Sequence, residues 1–142
     1  MAQLFNQDKF TPLAKQSQIY SDFFTNLDVH PELHDLSRKV NENSVKQAIV
    51  NLINTNKYER PFQPNFGSNI NNFLFEPISP MTSQAIQDEI TATIQNYEPR
   101  VRLISVVVTP YIDDDAYAVT IQFYIININT PITLSTILYR VR

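Results

Sequence analysis

Cysteine is absent from the 142 residues, so the chain has no disulfide framework and no thiolate metal site. That absence fits a reducing compartment. Glycine is almost absent as well: Gly67 stands alone, against an average usage of about 7%. Glycine-rich phosphate loops and the Gly-x-Ser-x-Gly nucleophile elbow are therefore excluded, and turns must rely on Asn, Asp and Pro. No run approaches the roughly 18 apolar residues of a membrane span, so no membrane partner is expected. Met1 to Phe10 lacks the basic start and apolar run of a signal peptide, which implies synthesis in the cytoplasm. The net charge is −3, so no general nucleic-acid-binding surface is implied.

What is present describes one ordinary domain. Residues 1–40 read as an extended N-terminal arm, with Ile19 to Phe24 a short strand or a segment lying across the body. Residues 41–142 read as a single α+β domain. Ser44 and Gln47 have capping-box spacing ahead of the stripe Val45, Ala48, Ile49, Leu52 and Ile53, which predicts a helix ending at Asn54-Thr55-Asn56. Tyr58 to Gly67 is a proline-bearing loop, followed by a short helix around Ile70 to Phe75. Thr82 or Ser83 is the expected cap of a longer helix to about Asn96, with Ile86, Ile90, Ile94 and Tyr97 on its buried face. Pro99 stops it. Strands are expected over Val101 to Ile112, Tyr117 to Ile128 and Ile132 to Val141, with turns at Asp113-Asp114-Asp115 and Asn127 to Pro131. In the second strand Val119, Ile121, Phe123 and Ile125 share one face. The expected fold is α+β, with helices packed on one face of a C-terminal three-stranded antiparallel meander.

Reactive constellations are sparse. His30 and His34 stand four apart near Glu32 and Asp35, but in a proline-interrupted turn with no evident third ligand, so the reading is a polar surface and no metal. Glu76, Glu89, Glu98 and the Asp113–Asp115 run are the carboxylates from which a glycosidase pair would be drawn. The Asp run lies in a solvated turn, and Arg100 offers Glu98 a salt bridge rather than the apolar pocket a general acid requires. No catalytic residue and no cofactor are assigned. Glu98-Pro99-Arg100 is different in kind. Pro99 fixes the backbone between an acid and a base, and Arg100 offers a planar donor fork. A local helix-end salt bridge, with Glu59 or Arg60 as neighbours, and a docking corner are both open on the residues alone.

The chain also carries a spaced string: Arg60-Pro61-Phe62, Pro64, Phe66-Gly67, Leu74-Phe75-Glu76, Pro80, Thr82 and Asn96-Tyr97-Glu98-Pro99-Arg100. This string resembles the baseplate wedge proteins of contractile-tailed phages, a family that includes the sheath initiators of type VI secretion systems and R-type pyocins. The resemblance covers about residues 40 to 140. Gln63 and Asn65 stand where acidic residues are frequent in the family.

The resemblance implies a virion protein of the tail baseplate, placed near the tail tube and hub, with other wedge proteins and tail sheath subunits as partners. It implies that Glu98, Pro99 and Arg100 hold the inner helical bundle of the wedge; the loop residues Arg60, Pro61, Phe62, Pro64, Phe66 and Gly67 are assigned to the same face. It also implies that the β part templates the first sheath ring. Strand logic agrees, because an open meander has edges that accept another chain. At about 0.5–1.5 kcal/mol net per hydrogen bond, a five-residue partner strand gains several kcal/mol before ordering costs. Ile132, Leu134, Thr136, Leu138, Arg140 and Arg142 are the residues assigned to that sheath contact, the arginines guiding an acidic partner. Some family members bear a lysozyme-like label. The rival readings are accordingly a peptidoglycan hydrolase using paired carboxylates, and a free-standing binding module.

Overall fold

In the computed structural model, residues 19–27, 29, 34–126 and 128–141 are described. The long C-terminal meander organises them. Strand β3 (Val101–Tyr111), β4 (Ala116–Ile125) and β5 (Ile128–Tyr139) pair antiparallel in the order β3-β4-β5. On β4 the side chains of Tyr117, Val119, Ile121, Phe123 and Ile125 are all buried, as strict alternation on a half-covered sheet requires. The opposite face of the sheet bears Val107, Tyr124, Ile137 and Tyr139 in exposed positions.

Three helices cover the inner face: α1 (Asn41–Asn54), α2 (Ile70–Leu74) and α3 (Pro80–Tyr97). Val45, Ile49 and Ile53 of α1, Ile70 and Leu74 of α2, and Ile86, Ile90 and Ile94 of α3 join the β4 side chains in one core. The α+β fold with helices on one face is therefore as expected. A short hairpin precedes it: β1 (Ser21–Phe23) pairs with β2 (Arg38–Val40), and β2 leads directly into α1. Gln47 Nε2 donates to the Phe23 carbonyl at 2.7 Å and holds that hairpin to α1.

Three boundaries differ from expectation. The Ser44–Gln47 capping box does not form, because α1 begins four residues earlier, with Val40 in the N-cap position, and turns both side chains inward. Neither Thr82 nor Ser83 caps α3. Ser79 does, its hydroxyl accepting from the Thr82 amide at 3.1 Å, while Pro80 occupies the first turn where no amide is needed. The second turn is shorter than Asn127 to Pro131. Pro131 sits inside β5 opposite Tyr124, tolerated because β5 is an edge strand. Of the His30–His34 group, His30 and Glu32 lie outside the described residues and His34 is exposed. No described group of three His, Asp or Glu side chains could hold a metal ion. No described helix is long and apolar enough to cross a membrane.

The face assignment is testable with one pair of substitutions. Phe123→Ala, at a fully buried site, should lower unfolding free energy by about 3–5 kcal/mol in denaturant titrations. Ile137→Ala, 57% exposed, should change it by no more than about 0.5 kcal/mol.

Candidate docking face

The last turn of α3 brings the string's separate pieces together. Pro99 excludes helical backbone at Glu98, which adopts φ −121° and ψ 79° as the C-cap. The chain then turns into β3, with the Val101 amide donating to the Glu98 carbonyl at 3.1 Å. Across this corner Arg100 Nε and Nη2 donate to Glu98 Oε1 and Oε2 at 2.6 and 2.7 Å. The Glu98 side chain is 7% exposed and that of Arg100 32%. A buried carboxylate needs such a partner, and a bidentate fork is the best geometry for one. The Glu98 bonds, against an opposing effect of burial, push the Arg100 guanidinium further above its ordinary value, so it remains charged. Of the two open readings, the helix-end salt bridge exists, and it is within the corner itself. Glu59 is committed elsewhere, accepting from the Asn56 amide and side chain at 2.9 and 2.7 Å.

The Arg60–Gly67 loop packs beside this corner through Tyr97. The Phe66 and Tyr97 rings lie 5.2 Å apart and tilted by 55°, and the Tyr97 hydroxyl donates to the Asn65 carbonyl. Arg60 lies over the Phe66 ring, the central carbon of its guanidinium 4.0 Å from the ring centroid. Within the loop the Tyr58 amide donates to the Pro64 carbonyl at 2.8 Å. These contacts hold Phe62 fully in solvent at φ 68°, a conformation rare for an aromatic residue. Between the loop and Tyr97 lies an open cavity of ≈ 350 Å³.

Gly67 closes the loop at φ 116°, where a Cβ would stand 2.5 Å from the Thr55 carbonyl oxygen and 2.9 Å from that of Asn56. Sequence reasoning missed the second brace. Glu89 of α3 accepts from Lys57 Nζ at 2.8 Å and from the Asn69 amide at 2.9 Å, bridging the two ends of the loop. Burial works to raise its pKa, but the Lys57 bond, the Asn69 amide and the Lys57 charge together hold it below its ordinary value of 4.5. Nothing in the local pattern around Glu89 marks it.

The residues assigned to a sheath contact divide. Ile132 and Leu138 are buried in the core, Leu134 and Thr136 are half-buried on the same face, and Arg140 lies 3.7 Å from Asp115. Arg142 lies outside the described residues. What β5 offers a neighbour is thus its backbone edge, which pairs with no described strand, and the outward side chains Thr133, Ser135, Ile137 and Tyr139. In the docking set, Glu98 and Gly67 are likewise buried and shape the face, whereas Arg60, Pro61, Phe62 and Pro64 form its surface, with Phe66 and Arg100 part-exposed.

Residues 39–129 match the family described as baseplate wedge protein gp25, and the chain belongs to that family. Baseplate wedge protein gp25 of Enterobacteria phage T4 is 33% identical over 120 residues, spanning 81% of this chain and 86% of its own. Among solved structures, a proposed tail lysozyme from Geobacter sulfurreducens superposes with TM-score 0.66 at 25% identity, covering 71% of this chain and 92% of that one. A chain of the anti-feeding prophage baseplate shares the fold with TM-score 0.61 at 20% identity, over 85% of each. A chain of the type VI secretion system baseplate complex does so with TM-score 0.61 at 16% identity, over 70% of this chain and 93% of that one.

Two expectations test the loop. Gly67→Ala should cost about 2 kcal/mol or more, measured by denaturant unfolding, because the backbone is strained and the space is filled. A lowered folded-state pKa at Glu89 contributes stability that is complete above its unfolded value and is lost as pH falls through the folded value. Wild-type melting temperature should therefore fall more steeply below about pH 4.5 than that of Glu89→Gln.

Proposed function

We propose that this chain is a non-enzymatic wedge subunit of a contractile tail baseplate, residing in the virion tail and assembled in the host cytoplasm. Its docking face, formed by Arg100 and the Arg60–Gly67 loop, holds the inner helical bundle of the wedge. The backbone edge of β5 receives a strand of a tail sheath subunit and so templates the first sheath ring, beside the tail tube and hub. The observation that carries this reading is the junction at Tyr97, which fuses the loop and the Glu98–Arg100 corner into one continuous, preorganised surface. Such a surface loses little conformational freedom on binding.

The hydrolase alternative draws on the likeness to a proposed tail lysozyme. Against it stands the use of Glu98 and Glu89, the two least exposed carboxylates among the described residues. Both oxygens of Glu98 are taken by Arg100, and Glu89 is taken by Lys57 and Asn69. Glu98 has no free oxygen, and the partners of Glu89 hold it below its ordinary value, the wrong direction for a general acid. Purified protein incubated with peptidoglycan should release no fragments. Release that disappears in Glu98→Gln would establish the hydrolase instead.

Docking is tested at Arg100. Arg100→Ala leaves a buried carboxylate unpaired, a change that costs up to about 3–5 kcal/mol for fully buried pairs, so Arg100→Lys is the better probe. It keeps a cation for Glu98 but removes the planar fork. The variant should melt cooperatively and yet be lost from wedges assembled with the other baseplate proteins. Normal incorporation of Arg100→Lys would sink the assignment.

A further inference from the structure

The first described residues of the chain lie against the docking corner. The Tyr20 ring faces the Arg100 guanidinium, whose central carbon is 5.5 Å from the ring centroid. Tyr20 is itself fixed at three points. Its amide and that of Ile19 donate to Asn41 Oδ1 at 3.4 and 2.9 Å, and its carbonyl accepts from the Asn41 amide at 2.8 Å. Its hydroxyl donates to the Ile126 carbonyl at 3.2 Å, while the Ile126 amide donates to the Arg100 carbonyl at 2.9 Å. The main chain of Arg100 and the ring against its side chain are thus tied to one residue at the end of the sheet. Asp22 adds a carboxylate whose field reaches the same guanidinium.

We propose that Tyr20 is a positioning residue for Arg100, which makes the N-terminal hairpin a working part of the wedge-docking face. The inference rests on the docking reading above and deepens it. Glu98 holds the Nε–Nη2 edge of the fork, and the Tyr20 ring, 5.5 Å from the guanidinium carbon, holds the cation from a second side by the attraction of a cation to an aromatic ring. The Nη1 edge is the part that the intramolecular pairing does not use. With the guanidinium held from two sides, little ordering of the fork remains to be done on binding.

The test uses the full chain and the purified inner helical bundle of the same tail's wedge as probe, titrated by calorimetry. Tyr20→Phe keeps the ring and should bind within about twofold of wild type. Tyr20→Leu keeps apolar bulk but removes the ring face, and should weaken binding about three- to tenfold. Tyr20→Met serves the same purpose if the Leu variant does not fold. A purely structural role for Tyr20 would leave the exchange rate of the Arg100 Nε–H proton, which is bonded to Glu98, unchanged. Here that proton should exchange slowly in wild type and Tyr20→Phe and several-fold faster in Tyr20→Leu. Wild-type affinity, or an unchanged exchange rate, in a folded Tyr20→Leu protein would overturn the proposal, provided Arg100→Lys abolishes binding. Undiminished binding by Arg100→Lys would instead bring down the docking reading, and this inference with it.

Discussion

A carboxylate withdrawn from water at the end of α3 must find a permanent partner, and the arginine two residues later supplies it. Glu98 is nearly inaccessible and both its oxygens are engaged, so the direction of the chain leaving α3 is set by an electrostatic requirement as well as by Pro99. From that corner β3 departs in register with β4, and β4 carries the inward row on which all three helices rest. The same pair leaves the guanidinium one-third exposed. One interaction therefore closes a helix, launches a sheet and displays a donor. A Lys could neutralise the charge, but it could not do this with fixed geometry.

The loop beside it is rigid for a different reason. Proline, the left-handed Tyr58 and Phe62, the contacts of Arg60 and Tyr97 with Phe66, and the Glu89 bridge each remove freedom that a segment of this length would otherwise keep. Residues in sparsely populated backbone conformations persist only where the surroundings over-determine them, and these surroundings do. The exposed Phe62 is the visible result: an apolar ring held out in water by everything beneath it.

Much of this was legible in the residues. The Ile86, Ile90 and Ile94 spacing located α3, the alternation from Val119 to Ile125 located the inward face of β4, and Pro99 marked the stop. The failures have physical causes. Ser44 and Gln47 imitate a capping box, but α1 starts earlier because Asn41 bonds the backbone of Tyr20, a contact between residues 21 apart. Pro131 reads as a turn unless the strand is known to lie at an edge. On β5 the apolar residues Ile132, Leu134 and Leu138 alternate with Ile137 and Tyr139 on the other face, so pattern alone did not separate core from surface. The residues proposed for docking were picked out by their string, while the contacts of Glu89 with Lys57 and Asn69 and of Tyr20 with Arg100 span distances that no local spacing encodes.

The β4–β5 ladder has a mechanical consequence. Its ten paired positions run nearly the full length of both strands, and beyond it the Val141 amide is bonded to the Leu74 carbonyl of α2. A pull applied along β5 would load those hydrogen bonds together, in shear, whereas a pull applied across it would open them one after another. A strand added to the outer edge and drawn along the same axis would thus transmit tension into the sheet with all rungs sharing the force.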